Sequence, residues 1–181
     1  YQEEVERRCG ICLSDPTIYE AFTYYEREVL PHKNDDAINA KAMPGAHAAL
    51  QAVQDAGLRC ALFTNPSFPQ GAIECRMGWG ELTDAPFELV THMGNATRCK
   101  PDATYYLEQL QVMGLEPHEV LMVGNDPKRD FPSPDCGIQT AYVGQGKPGR
   151  ATWRGSMEDF AHNFNAVVEA FYEHQIADEL S

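Results

Sequence analysis

The chain has 181 residues, with 27 Asp and Glu against 14 Lys and Arg and a net charge of −13. Hydrophobic residues make up 43% and charged residues 23%, the mix of an ordinary globular domain, which excludes disorder, collagen and coiled coil. At this length one domain, or one domain plus a small insertion, builds a core without staples. The acidic balance offers no basic footprint for nucleic acid or an anionic membrane surface, so neither is expected as a partner. No apolar run approaches the ~20 residues of a membrane span, and the charged first residues do not read as a signal peptide. The six cysteines at 9, 12, 60, 75, 99 and 136 are scattered, several in apolar segments. That is the usage of reduced thiols, and a cytoplasmic location is expected.

In chain order, Asp15-Pro16 is an N-cap followed by a first-turn proline. Ile18, Phe22, Tyr25 and Val29 recur at helical spacing and predict an amphipathic helix over 16–30. Residues 31–43 show no period and are expected to be a connector. Pro44-Gly45 opens a helix with Ala46, Ala49, Leu50 and Val53 on its apolar side, and Gly57 is placed to end it. The run 58–64 (LRCALFT) is expected to be a buried parallel strand. A helical or irregular stretch over 69–80 and a strand over 87–91 follow. Asp102 caps a helix through Met113, with Tyr106, Leu110 and Met113 on one face, and Gly114 stops it. Strands are predicted over 120–123 and 138–143, and Ser156 with Asp159 forms a capping box for a last helix that carries Phe160, Phe164, Val167, Val168 and Phe171. The acidic tail from Glu173 reads as a solvated helix end. This alternation of helices and apolar strands predicts an α/β fold: a Rossmann-like parallel sheet with helices on both faces. Ligands in such folds bind beyond the carboxyl ends of the strands.

Three strand ends carry candidate chemistry. Thr64-Asn65-Pro66 offers a hydroxyl, an amide and backbone N–H groups that suit a phosphate, though Asn and Pro also mark ordinary turns. Lys100-Pro101-Asp102 fixes a lysine at a helix entry, where it can neutralise phosphoryl oxygens or a carboxylate; alone, it also reads as a solvated surface lysine. Gly124-Asn125-Asp126, with Asp130 a turn later, gathers the hard oxygen ligands that Mg²⁺ takes. Turn chemistry explains Asn125 and Asp126 but not Asp130. Cys9-Gly10-Ile11-Cys12 lacks the further ligands of a structural zinc site and the preceding strand of a redox motif.

Together these motifs resemble the haloacid dehalogenase-like (HAD) superfamily of aspartate-nucleophile phosphohydrolases. They are most like a bacterial branch with Thr-Asn-Pro-x-Phe-Pro, Cys-Lys-Pro and Gly-Asn-Asp-x-x-x-Asp, seen here as Thr64 to Pro69, Cys99 to Pro101 and Gly124 to Asp130. The resemblance covers about 44–145. It implies a core domain over 44–181, with 1–43 as part of a helical cap and connector. It also implies a Mg²⁺-dependent phosphohydrolase that acts on a small phosphorylated metabolite through an aspartyl-phosphate intermediate. By resemblance, Thr64 and the backbone of Asn65 bind the phosphoryl group, and Lys100 bridges nucleophile and phosphate. Asn125 and Asp126 sit at the metal, and Asp130 orders the metal's water shell or pairs with Lys100.

One family motif is missing. No Asp in the chain has another Asp two positions later, whereas the family's first strand ends Asp-x-Asp-x-Thr and carries the nucleophile. That strand is central in the family's sheet, between those ending at Thr64 and Val123. The chain does not begin with Met, and the nucleophile is expected upstream of Tyr1. The alternatives are a HAD-like domain that binds phosphate ligands or a partner without hydrolysis, and a phospho-acceptor domain of the receiver type. Receivers are shorter and lack so late an acidic cluster. A further departure is Phe131-Pro132-Ser133-Pro134 after Asp130, where two prolines predict a short or irregular segment in place of the family's helix.

Overall fold

The protein is seen in a computed structural model that describes residues 2–12, 15–146, 148 and 150–179. Every strand pairing in it is parallel. β1 (Ala61–Leu62) pairs with β2 (Leu89–Val90), Ala61 opposite Leu89. β3 (Leu121–Gly124), β4 (Gln139–Val143) and β5 (Trp153–Gly155) form a second sheet in that order, with Val123 opposite Ala141 and Tyr142 opposite Arg154.

The helices are α1 (Gln2–Cys9), α2 (Pro16–Tyr24), α3 (Ala46–Asp55), α4 (Gln70–Trp79), α5 (Ala103–Met113), α6 (Met157–His162) and α7 (Phe164–Glu179). Local sequence sets most of their ends. Asp15 accepts the Thr17 N–H at 2.8 Å and Asp102 the Thr104 N–H at 2.9 Å, which caps α2 and α5. Ser156 and Asp159 form the expected capping box at α6.

Successive strand side chains point to opposite faces, and the core divides accordingly. Leu121 and Val123 pack with Ala49, Phe160, Phe164 and Val167. Val120 and Met122 pack with Tyr105, Tyr106, Leu110 and Ile138. Helices α3, α6 and α7 therefore cover one face of the β3-β4-β5 sheet, and α5 covers the other. This is the α/β arrangement predicted from the alternation of elements.

Several local expectations need correction. The strands predicted over 58–64 and 87–91 shrink to two residues each, because β1 and β2 pair only with one another among the described residues; single bonds such as Glu88 N–H to Cys60 O (2.8 Å) extend the ladder a little. Residues 31–43 are not a plain connector. The α2 helix runs on through a π-helical turn (Tyr25–Val29), a 3₁₀ turn (Leu30–His32) and a second π-helical turn (Asn34–Ile38). Asn39 stops the run at φ 53°, and the Asn34 side chain both donates to and accepts from the Ala40 backbone. The apolar stripe predicted on 16–30 is only partly covered: Phe22 is 53% and Tyr25 45% exposed, whereas Ile18 and Val29 are half-buried, Val29 in the π-helical turn that rests on α4 together with the 3₁₀ turn after it. The last predicted helix is two helices, broken at Asn163, whose side chain folds back onto the Asp159 carbonyl. The strand β5 and the helix α1 were not foreseen. The Pro-rich segment after Asp130 is irregular, as predicted.

Between β1 and β3 runs a trough of about 800 Å³. Leu50 and Val53 of α3, Leu62 of β1, Val123 of β3, and Phe164 and Phe171 of α7 line it, and Lys100, Asn125 and Asp130 also border it. Both strands that flank the trough pair on one side only among the described residues.

The floor of the α3–α6 contact has no room for a side chain at position 45. Gly45 has φ +84°, and a Cβ there would lie 2.6 Å from the Glu158 nitrogen and 2.8 Å from the Met157 carbonyl carbon. Gly45→Ala is expected to destabilise the fold by about 2 kcal/mol or more, a drop of roughly 4–8 °C in thermal midpoint. Differential scanning calorimetry checks this.

Candidate active site

The site begins with Lys100. It stands just before the Asp102 cap of α5, so the start of the helix fixes its backbone. Its ammonium donates to the Phe63 carbonyl at 2.9 Å and to Asp130 Oδ1 at 2.6 Å. The two side chains are only 10% and 13% exposed. An ion pair this sheltered is stronger than one on the surface, but it must offset desolvation of both partners. Asp130 does so with its second oxygen, which accepts the N–H groups of Asn125 (3.0 Å) and Asp126 (2.9 Å). One lysine thus ties the end of β1 to the loop after β3.

The loop needs glycine at its start. A Cβ on Gly124 would lie 2.4 Å from the Asp130 Cβ and 2.8 Å from its Oδ2. With no side chain there, Asp130 folds back under the loop, and its own N–H donates to the Asp126 carbonyl at 2.6 Å. The Asp126 side chain remains 44% exposed, with Oδ1 accepting the Lys128 N–H at 3.1 Å and Oδ2 lying 3.7 Å from the Arg129 guanidinium. Asn125 is exposed.

Thr64, one residue beyond Phe63, is held by a buried network that the sequence reading missed. Its N–H donates to Thr91 Oγ1 (2.7 Å), its hydroxyl to the Thr91 carbonyl (2.6 Å), and its carbonyl accepts from the Tyr105 hydroxyl (2.6 Å). Thr91 Oγ1 lies 2.8 Å from the Tyr105 oxygen, and both residues are fully buried. The neighbouring Tyr106 hydroxyl donates to the carbonyls of Arg129 (3.1 Å) and Asp130 (2.8 Å). Burial pushes both phenols far above the usual tyrosine range, so each stays a donor at working pH. The pattern showed Tyr106 on the packed face of its helix. It did not show Tyr105, because two adjacent helical residues sit about 100° apart and a single stripe accommodates one of them.

Of the predicted residues, Lys100, Asn125, Asp126 and Asp130 lie in one hydrogen-bonded network that reaches β1 through Phe63. Thr64 adjoins it, with its hydroxyl proton given to Thr91. Asn65 is exposed, and its carbonyl accepts the Ser67 N–H at 2.7 Å. Asp130 takes the second role the resemblance allowed it, pairing with Lys100. The Asp126 carboxylate and the Asn125 side-chain oxygen fit part of a Mg²⁺ shell, which commonly holds one or two protein carboxylates and completes itself with water and phosphate. Among the described residues, no three His, Cys, Asp or Glu side chains gather to hold a metal by themselves. No described helix is long and apolar enough to cross a membrane.

The model of the haloacid dehalogenase-like hydrolase family matches residues 15–133. A comparison with curated proteins finds no match. Among solved structures, a HAD phosphatase from Thermococcus onnurineus is similar with TM-score 0.58 and 18% identity over 92% of this chain and 86% of its own. A beta-phosphoglucomutase from Clostridium difficile is similar with TM-score 0.60 and 16% identity over 74% of this chain, which spans only 58% of that protein. A HAD family hydrolase from Deinococcus radiodurans, solved with phosphate and sodium bound, is similar with TM-score 0.57 and 18% identity over 87% of this chain and 77% of its own. At these identities the likeness is one of fold.

Lys100→Met keeps the length of the side chain and removes its charge, leaving Asp130 sheltered without a cation. The expected loss of stability is about 2–4 kcal/mol, read as a lower urea midpoint with an unchanged slope.

Proposed function

The chain belongs to the haloacid dehalogenase-like hydrolase family, and on that footing we propose that it forms most of a Mg²⁺-dependent phosphohydrolase for a small phosphorylated metabolite. The observation that carries this reading is the position of Lys100: a sheltered ammonium that joins the end of β1 to the loop after β3 and borders the trough between them. The phosphate bound by the Deinococcus radiodurans neighbour agrees with it.

Each residue has a part that its surroundings support. Lys100 neutralises a phosphoryl oxygen or an incoming carboxylate without moving, because Asp130 and the Phe63 carbonyl already fix it. The Thr64 hydroxyl turns its proton from the Thr91 carbonyl to a phosphoryl oxygen, and the Asn65 backbone supplies a second donor. Asp126 and Asn125 would hold Mg²⁺, which offsets charge on the transferring phosphoryl group when bound. Asp130 shapes the loop and steadies Lys100. Residues 1–43 form part of a cap over the core at 44–181, and the six scattered cysteines are in keeping with the reducing cytoplasm.

The nucleophile is an aspartate on a strand outside residues 1–181 that occupies the trough. The edges of β1 and β3 that are unpaired among the described residues need hydrogen-bond partners. A strand with apolar side chains on both faces meets the lining on either side and brings its last residue beside Lys100. That aspartate attacks phosphorus and breaks its bond to the metabolite's oxygen, which leaves as the alcohol once protonated; water then attacks the aspartyl phosphate, releasing inorganic phosphate and restoring the carboxylate.

The test is release of phosphate from p-nitrophenyl phosphate by the protein together with the strand that fills the trough. Hydrolysis is expected only with Mg²⁺, and Asp126→Ala is expected to lower it by about a hundredfold or more. Unchanged activity in that variant rejects the metal assignment, and activity undiminished by EDTA rejects the metal dependence.

A further inference from the structure

The first two turns of α5 hold more of the site than Lys100's neighbourhood requires. Two adjacent tyrosines, both completely buried, send their hydroxyls to different strand ends: Tyr105 to the Thr64 carbonyl after β1, Tyr106 to the Arg129 and Asp130 carbonyls after β3. Their rings meet edge to face at 5.1 Å and 84°, and each also contacts the Phe63 ring, at 5.9 and 6.3 Å. The residue before Thr64 is thereby gripped twice, by Lys100 at its carbonyl and by the tyrosines at its ring.

We propose that Tyr105 and Tyr106 are positioning residues that set the spacing between the phosphate-binding end of β1 and the metal-binding loop after β3. The proposal rests on the phosphohydrolase reading above and extends it to two residues outside the motifs. The geometry behind it is a three-point clamp. Lys100, Tyr105 and Tyr106 leave the start of one helix and reach Phe63, Thr64 and Asp130, so one rigid element ties together two segments that lie beyond the ladders of β1 and β3. A tyrosine suits this role because a long flat ring has few rotamers and carries its donor at the far end. Phenylalanine keeps the ring and removes only the donor.

The test uses Tyr105→Phe and Tyr106→Phe in the protein together with the strand that fills the trough. Tyr142→Phe is the control, being a buried tyrosine whose hydroxyl accepts the Gly146 N–H beyond β4. Isothermal titration with inorganic phosphate in the presence of Mg²⁺ gives affinity, and amide NMR shifts report geometry. Each site variant is expected to weaken phosphate binding about three- to tenfold, whereas Tyr142→Phe leaves it unchanged. The NMR signatures should separate. Tyr105→Phe shifts the Thr64 amide, which donates to Thr91, and spares Asn125 and Asp126. Tyr106→Phe shifts the Asn125 and Asp126 amides, which donate to Asp130, and spares Thr64. A loss of stability alone does not produce these separate patterns. If the wild-type chain binds phosphate and both variants bind it equally well with unmoved amides, the proposal is overturned. If all three variants weaken binding alike, the tyrosines act only through stability, and the proposal is again overturned. If the wild-type protein binds no phosphate with that strand in place, the phosphohydrolase reading fails and the positioning role fails with it.

Discussion

The contact on which the rest depends is the ion pair between Lys100 and Asp130. Each partner is committed twice: the ammonium to Asp130 and to the Phe63 carbonyl, the carboxylate to Lys100 and to two backbone N–H groups. A sheltered charge is costly to leave unmatched, so the network holds as a unit or not at all. Through it the end of β1, the start of α5 and the loop after β3 are fixed relative to one another, although the two sheets that carry them share no hydrogen-bonded ladder among the described residues.

Steric exclusion supports the electrostatics. Asp130 lies under its own loop because Gly124 leaves the space that any Cβ would fill. On the opposite face of the sheet, α3 reaches α6 closely because Gly45 has no side chain to meet the Glu158 backbone. Both glycines permit an approach that packing and charge then stabilise. The Arg150 guanidinium does similar service behind the site. It donates to the carbonyls of Pro132 (3.0 Å) and Ile138 (3.3 Å) and to Asp135 (2.8 Å), and so gathers the irregular segment that follows Asp130.

Much of this was legible in the sequence, for identifiable reasons. Apolar runs bounded by polar turns gave β3 and β4 almost to the residue, because helices pack on both faces of their sheet and apolar side chains meet them on either side. Asp102, Ser156 and Gly57 marked helix ends because capping is local chemistry, read from a few neighbouring residues. Lys100 and Asp130 were legible as candidates, but their pairing was only one of two roles the resemblance implied for Asp130, since 30 residues separate them. Tyr105 and Thr91 stayed hidden for the same reason: their polar atoms find partners only when distant segments meet. The helical stripe of Ile18, Phe22, Tyr25 and Val29 misled in the other direction. Periodicity says which residues share a face and not whether anything covers it, and here Phe22 and Tyr25 remain about half exposed.

The acidic balance of the chain raises a last physical question, since a net charge of −13 opposes the approach of any phosphorylated ligand. Local placement answers it. Surface charges act through water and are screened within about 8–10 Å at ordinary ionic strength, whereas Lys100 sits beside an apolar trough where the field of a fixed cation falls off less steeply. The nearest carboxylate is not free to repel an anion, because Lys100 and two N–H groups already hold its oxygens. Asp126, the exposed acid of the loop, is where a divalent cation would add positive charge. A site of this kind draws its anion from a few groups held rigidly at short range, so the sign of the whole molecule says little about what its strand ends can bind.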